Sequence, residues 1–166
     1  DLLALEQREL KFAFQHAHSR YKFNVPATFN RTGNADSVEI NHGFQPAGTE
    51  LRGRVGYAYT SNRSDSTDFD FTANSINAAL AYPLFYQITG QIGYSYSRVR
   101  FDNPNSLSPS GTARNDNTQG FSLQLARPLD QTLSVFLRYS GTRSHSDIPL
   151  YSFDQNVTSI GLAARF

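Results

Sequence analysis

The stretch Ser144 to Asp147 (SHSD) carries the side chains that a hydrolase would use. A serine hydroxyl becomes a nucleophile when an imidazole takes its proton and a carboxylate orients that imidazole. Here Ser144, His145, Ser146 and Asp147 follow one another in a polar segment, where serine and aspartate are common. A catalytic set also needs a fixed geometry that adjacency does not provide. We therefore expect a loop here, no catalytic residue and no enzymatic activity.

Two histidines and three aspartates raise the question of a metal site. His16 and His18 are two residues apart, so they share one face of a strand, but that face also carries Phe12 and Phe14. We interpret them as a histidine pair at the edge of an apolar surface. The aspartates lack the glycine and the closing glutamate of an EF-hand loop; they are Asp65, Asp68 and Asp70. No phosphate loop or nucleotide fingerprint is present, so we expect no metal and no cofactor.

The composition describes one folded domain rich in β structure. The 166 residues are 39% hydrophobic and 17% charged, with 13 Phe and 9 Tyr. Cysteine is absent, which excludes disulfides and thiolate ligands. The net charge of +1 gives no electrostatic reason to expect a nucleic-acid partner. The longest apolar run, 78–86, is interrupted by a proline. It is too short for a transmembrane helix, which needs about 17–25 residues, but a membrane β-strand needs only about 9–11.

Apolar and polar residues alternate in eight stretches, as in strands whose two faces meet different environments. The predicted strands are 10–21, 38–44, 51–60, 75–83, 88–97, 121–128, 133–140 and 156–166. Polar segments predict long loops at 24–37, 61–68, 102–117 and 144–152. Short turns follow the second, fourth and sixth strands. This alternation of short and long connections predicts consecutive antiparallel strands.

An internal repeat begins at each of the short turns. Prolines stand at positions 46, 83 and 128, with an aliphatic residue five positions later and a tyrosine eleven positions later. In a membrane barrel, this repeat describes short periplasmic turns, long external loops and an aromatic girdle at the outer interface. The predicted girdle consists of Tyr57, Tyr59, Tyr94, Tyr96 and Tyr139. A soluble β-sandwich is the alternative, but it explains the loop lengths and the tyrosine register less well.

The last eight residues carry the most specific pattern in the chain. A polar residue is followed by a glycine two positions on and by apolar or aromatic residues five and seven positions on; these are Ser159, Gly161, Ala164 and Phe166. The pattern resembles the carboxy-terminal assembly signal of bacterial outer-membrane β-barrel proteins. With the loop SDIPLYSFDQN before it, the segment also resembles the end of larger porin-type barrels. The resemblance implies the bacterial outer membrane as location, with the lipid bilayer and the outer-membrane assembly machinery as partners.

Together these observations predict an all-β fold. It is an antiparallel, up-and-down transmembrane β-barrel of eight strands over residues 10–166, preceded by a periplasmic N-terminal segment, 1–9. Eight strands enclose an interior that side chains just fill, so interior charges must be paired or solvated. The predicted interior charged network consists of Lys11, Glu39, Arg52, Arg54, Arg138 and Arg165. The excess of arginine could instead line an anion-favouring pore.

Two functions are compatible with this fold. The first is a non-enzymatic membrane anchor or structural subunit that acts with a protein partner in a membrane complex. The second is a transport pore, porin-like or for polysaccharide export, as the resemblance to larger porin-type barrels implies. A pore would require further strands upstream or several assembled chains. Pairing between the first and last strands would close the barrel at eight and leave no substantial channel, whereas two unpaired edges would imply a larger pore.

Overall fold

The computed structural model describes residues 11–22, 32–65, 67–104 and 111–164. This part of the chain contains eight β-strands and two short 3₁₀ helices, Thr67–Phe69 and Pro149–Tyr151. The strands are β1 (Lys11–Tyr21), β2 (Gly33–Phe44), β3 (Arg52–Ser64), β4 (Phe71–Pro83), β5 (Thr89–Pro104), β6 (Ala113–Pro128), β7 (Leu133–Ser146) and β8 (Phe153–Ala164). The predicted all-β class is confirmed. The predicted segment 1–9 lies outside the described residues.

All eight strands form one antiparallel sheet in the order β1 to β8. Each strand pairs with the next along the chain, so the predicted up-and-down topology is confirmed. The predicted eight-stranded barrel is not closed: among the described residues, β1 pairs with β2 alone and β8 with β7 alone. Local alternation and turn length determine which strands are neighbours, but neither determines how many strands close a sheet.

The strands extend further than predicted at the end where the long loops lie. β2 begins at Gly33 rather than at residue 38, β5 continues to Pro104, and β6 begins at Ala113. The loops predicted at 24–37 and 102–117 are shorter for this reason, and β3, β4, β7 and β8 are lengthened in the same way. The added residues are mostly polar. They still pair, because backbone N–H and C=O groups are present whatever the side chain.

Two of the connections at the opposite end are closed by turn-specific residues. Between β2 and β3, a backbone hydrogen bond returns to the carbonyl of Pro46, and Gly48 has a φ of 71°, which glycine adopts at little cost. Between β6 and β7, Asp130 Oδ1 accepts the backbone N–H groups of Thr132 (2.7 Å) and Leu133 (2.7 Å). These hydrogen bonds, that of Thr132 first, lower the pKa of the Asp130 carboxyl.

The turn between β4 and β5 has an unusual backbone. Tyr86 and Gln87 have φ values of 55° and 61°, and the N–H of Ile88 donates to the carbonyl of Phe85 (3.2 Å). Positive φ at both central positions matches the twist of the flanking strands. A residue with a side chain costs about 1–2 kcal/mol in this left-handed region. The pairing of the two strands that the turn joins must therefore offset this cost.

The two faces of the sheet differ in chemistry, except along β8. We call the face that carries Asn41, Arg54 and Ser95 the polar face. In each strand, every second residue lies on this face, and the residues between them lie on the other face, which we call the apolar face. Along β8, the polar face also exposes Phe153 and Val157. The buried strand residues, Gly56, Asn62, Ser144 and Ser146, all lie on the polar face. The apolar face carries exposed large side chains: Ile40, Val55, Ile76, Leu80, Ile92, Phe121, Leu123, Leu137, Ile160 and Leu162.

No conventional hydrophobic core joins these strands. In the described part of the chain, the only buried hydrophobic residue is Ile148, at 5% exposure, whereas Ile160 is 79% exposed. The sheet therefore presents an apolar surface that requires a cover other than its own side chains.

Candidate functional site on the polar face

Four residues of the predicted interior charged network, Glu39, Arg52, Arg54 and Arg138, have described side chains; they lie along the polar face without forming ion pairs with one another. Glu39 Oε1 accepts a hydrogen bond from Asn41 Nδ2 (2.7 Å). Arg138 donates through Nε to Gln124 Oε1 (2.9 Å). Lys11 occupies a β1 position opposite Gly43, but its side chain and the whole of Arg165 lie outside what the structure describes. A connected network of these residues stays a prediction.

Arg52 and Arg54 are the two positive charges of this face that have no hydrogen-bond or ion-pair partner within the described residues. Both follow the β2–β3 turn and are exposed. Arg54 borders a groove of about 300 Å³ on the polar face, which is also lined by Asn77, Gln91, Ser95, Ser122 and Ser140. Hydroxyl and amide groups of four strands surround this groove. They can donate hydrogen bonds to a solute or to water.

At the loop end of the same face, Arg114 is sandwiched between two aromatic rings. Its guanidinium carbon lies 3.8 Å from the ring centroid of Phe101 and 3.9 Å from that of Tyr151. The Nε atom lies 3.1 Å from Asp116 Oδ2, and the Arg114 side chain is 12% exposed. Cation–π contacts contribute about 0.5–2 kcal/mol each, more when desolvated. Arg114 therefore attaches the segment between β7 and β8 to the sheet.

A cavity of about 550 Å³ surrounds this sandwich. Its lining comes from strands that are far apart in the sheet: Tyr21 of β1, Asn62 of β3, Phe71 of β4, Phe101 of β5, Arg114 of β6 and Tyr151 after β7. Asn62 accepts a hydrogen bond from the Tyr21 hydroxyl and donates to the carbonyl of Phe69 (2.8 Å). Residues from both ends of the sheet share one cavity, so the polar face is the concave one here.

The hydrolase-like stretch SHSD does not assemble a nucleophile with a base. Ser144 is buried on the polar face and its Oγ contacts Thr118 Oγ1 at 3.0 Å. His145 is the next residue of the same strand, so its imidazole lies on the opposite face. Asp147 Oδ2 accepts a hydrogen bond from Asn115 Nδ2 (3.0 Å). The loop predicted at 144–152 therefore begins only after Ser146, because β7 continues to that residue.

The histidine pair and the aspartates are also engaged in local contacts. His18 Nδ1 lies 2.7 Å and His16 Nε2 3.9 Å from Asp36 Oδ1, at the loop end of the apolar face. Asp70 Oδ1 accepts the backbone N–H of Ser64 (2.6 Å). Across the described ranges, no group of three or more His, Cys, Asp or Glu side chains is placed to hold a metal ion.

The tyrosines of the predicted girdle share a hydrogen-bonding arrangement that the sequence did not reveal. Three of them donate diagonally across to an asparagine of the next strand: Tyr57 to Asn74 (2.6 Å), Tyr96 to Asn117 (2.9 Å) and Tyr139 to Asn156 (2.8 Å). Each hydroxyl therefore points toward the loop end, while its ring covers the apolar face. Rings with one apolar side and one polar tip suit an interface between a lipid phase and water.

The tyrosines are also displaced regularly with respect to the hydrogen-bonded rows. Tyr57 is opposite Ile76, which is opposite Tyr96, two residues beyond Tyr94. In the same way, the residue of β7 that lies in one hydrogen-bonded row with Tyr94 is two residues beyond Tyr139. The first tyrosines of the three repeats, Tyr57, Tyr94 and Tyr139, are therefore displaced by one residue per strand relative to the rows of paired residues.

The carboxy-terminal pattern is partly described. Gly161 lies opposite Phe136, and a Cβ atom at Gly161 would be 2.7 Å from Phe136 Cζ. The phenylalanine ring therefore covers a position that only glycine leaves open. Ser159 is opposite Arg138, and Ala164 ends β8. Phe166 lies outside the described residues, so its part in an assembly signal stays a prediction.

No protein-family model, curated protein or solved structure matches this chain. Within the described residues, no helix combines the length and apolar character needed to cross a membrane.

Proposed function

We propose that the sheet is part of a transmembrane β-barrel of the bacterial outer membrane, and that this barrel forms a transport pore. The observation that carries the proposal is the inversion of its faces, with large apolar side chains exposed and small polar ones enclosed. Full burial of a Leu, Ile or Phe side chain is worth about 1.5–3 kcal/mol. A bilayer would supply that burial to the whole apolar face, while the carboxy-terminal pattern supports the outer membrane and its assembly machinery.

The tyrosine line supports the same proposal quantitatively. If Tyr57, Tyr94 and Tyr139 lie at one depth, the strands step by one residue of about 3.3 Å for each interstrand spacing of about 4.8 Å. That ratio corresponds to a tilt of about 35° from the barrel axis, and strands of outer-membrane barrels tilt by about 35–45°. A girdle at constant depth and the observed register are therefore mutually consistent.

The pore function rests on the edges of the sheet and on its unpaired charges. β1 and β8 both keep one edge unpaired in the described part of the chain, and exposed edges of this length require a partner. Closure at eight strands would bring Arg52 and Arg54 into an interior that side chains fill. Buried charges without partners are costly. A wider barrel, built with further strands of the polypeptide or of other copies, keeps both guanidiniums in water.

A membrane anchor closed at eight strands is the second candidate. The cavity shared by Tyr21 of β1 and Tyr151 beyond β7 favours it, because that cavity brings the two ends of the sheet toward each other. In this arrangement, the barrel would serve as a structural subunit for a protein partner and would carry no substantial current.

Conductance in planar lipid bilayers distinguishes the two candidates. Protein purified in detergent from outer membranes should insert and produce discrete, open-channel current steps if it forms a pore. Stable insertion without steps, verified by protease protection in vesicles, would overturn the pore and leave the anchor. Extraction of the protein into buffer without detergent would overturn the membrane proposal itself.

A further inference from the structure

One row of paired residues on the polar face carries amide donors between two arginines, and it runs from Arg52 at the short-turn end to Arg138 beside Tyr139. The pairing register runs from Arg52 to Ala81, then to Gln91, Gln124 and Arg138. These positions belong to five consecutive strands and all lie on the polar face. Arg54 stands one row further along β3, beside the polar groove. Guanidinium and amide N–H groups therefore follow this part of the face from β3 to β7.

Few carboxylates oppose these charges. Glu39 is engaged by Asn41, and Glu50 lies beside Arg52 around a turn-end cavity of about 420 Å³. At the loop end, Arg114 and Asp116 offset each other. The charged side chains described on this part of the polar face are thus three guanidiniums and two carboxylates. None of the three guanidiniums forms an ion pair within the described residues.

We propose that the pore selects for small anions, such as chloride and organic carboxylates, along the part of its polar wall that carries Arg52, Arg54 and Arg138. This inference rests on the proposed pore function. An excess of fixed positive charge at the wall raises the local concentration of anions. This effect of the wall charge extends over about one Debye length, about 10 Å at 0.1 M salt, which is comparable with the half-width of a porin-sized lumen. The glutamine amides and serine hydroxyls along the groove replace water around the passing anion.

The zero-current potential under a KCl gradient across a planar bilayer tests this inference. The wild-type channel should be more permeable to Cl⁻ than to K⁺. The triple variant Arg52→Gln, Arg54→Gln, Arg138→Gln leaves Glu39 and Glu50 as the charges of this region within the described residues, so its preference for anions should fall and its zero-current potential should shift toward that of a cation-preferring channel. We expect the permeability ratio to change about twofold for each guanidinium removed.

Two control variants separate charge from structure. Arg98→Gln with Arg100→Gln removes two charges from the apolar-face side of β5 and should leave the potential unchanged. The triple variant Arg52→Lys, Arg54→Lys, Arg138→Lys keeps the charge and should keep the preference for anions. If the triple glutamine variant fails to fold, single Arg54→Gln should still give a partial shift.

The outcomes for pore and selectivity are distinguishable. Absence of channels would overturn the pore and, with it, the anion selectivity. Wild-type channels that prefer cations would overturn the selectivity and leave the pore intact, and so would a potential that does not respond to loss of the three arginines.

Discussion

Replacing Ile92 by arginine tests whether the apolar face meets lipid. Ile92 is 46% exposed and lies between Leu80 and Leu123 on the neighbouring strands, in the middle of the apolar face. In a water-soluble protein, a substitution at such an exposed position changes stability by about 0.5 kcal/mol or less. On the lipid face of a membrane barrel, arginine near the bilayer midplane costs about 2–4 kcal/mol. The two environments therefore predict effects that differ several-fold.

The matched control is Gln91→Arg, one residue earlier in β5. Gln91 is exposed on the polar face and lines its groove, where an added guanidinium stays in water. It introduces the same side chain into the same strand at nearly the same depth. We expect Gln91→Arg to change the free energy of unfolding by less than about 1 kcal/mol, in keeping with a solvated site.

The measurement is the free energy of unfolding of protein reconstituted into phosphatidylcholine vesicles. Guanidinium titrations followed by far-UV circular dichroism and by electrophoretic mobility of unheated samples report the folded fraction. The wild type, Ile92→Arg and Gln91→Arg are compared at one lipid composition. Equal stabilities of the two arginine variants would refute the assignment of the apolar face to lipid, whatever their common difference from the wild type.

Four further predictions concern single contacts or single backbone positions. A double-mutant cycle of Arg114→Met and Tyr151→Leu should give a coupling energy of about 1–2 kcal/mol in unfolding titrations; coupling indistinguishable from zero would contradict the sandwich. Because hydrogen bonds lower the folded-state pKa of Asp130, its contribution to stability is complete above the unfolded pKa of about 3.9 and is lost as pH falls through the lower folded value. The stability advantage over Asp130→Asn should therefore shrink in titrations below about pH 4, and a constant difference would refute it. Gly161→Val should lower the free energy of unfolding by about 1–3 kcal/mol, because the valine side chain would collide with the facing phenylalanine. Gln87→Gly should raise the free energy of unfolding by about 1 kcal/mol, because glycine adopts the positive φ at this position without strain. Unfolding titrations check the sign of both changes.

Strand order could be predicted because it depends on local features. Period-two alternation identifies a strand whenever its faces differ, and the turn at 46–48 is specified by a proline and a glycine. The extensions beyond the tyrosines escaped prediction, since most residues on both faces are polar there. A segment such as 113–117 pairs through its backbone, and side-chain chemistry carries no signal of that.

The loop-end site could have been found by extending one rule. Counting back by twos from Ser122 on the polar face leads to Asp116 and Arg114, so both belong on that face if the strand continues. The sequence analysis treated 102–117 as a loop and missed them. The aromatic partners, Phe101 and Tyr151, lie on elements separated from Arg114 in the chain. Phe101 reaches Arg114 through the pairing of β5 with β6, and Tyr151 reaches it from the 3₁₀ helix that follows β7. Neither contact is encoded by a local pattern.

Closure is the property least accessible from sequence, because it depends on the number of strands and not on any one of them. The unpaired arginines provide a physical criterion for closure, which the alternation of apolar and polar residues does not. A guanidinium on the polar face is compatible with a narrow barrel only if a carboxylate or water accompanies it, and neither Arg52 nor Arg54 forms an ion pair within the described residues. Had each been paired as Arg114 is with Asp116, closure at eight would be electrostatically acceptable. The charge pattern of the polar face therefore argues for a wider, water-filled lumen independently of the open edges.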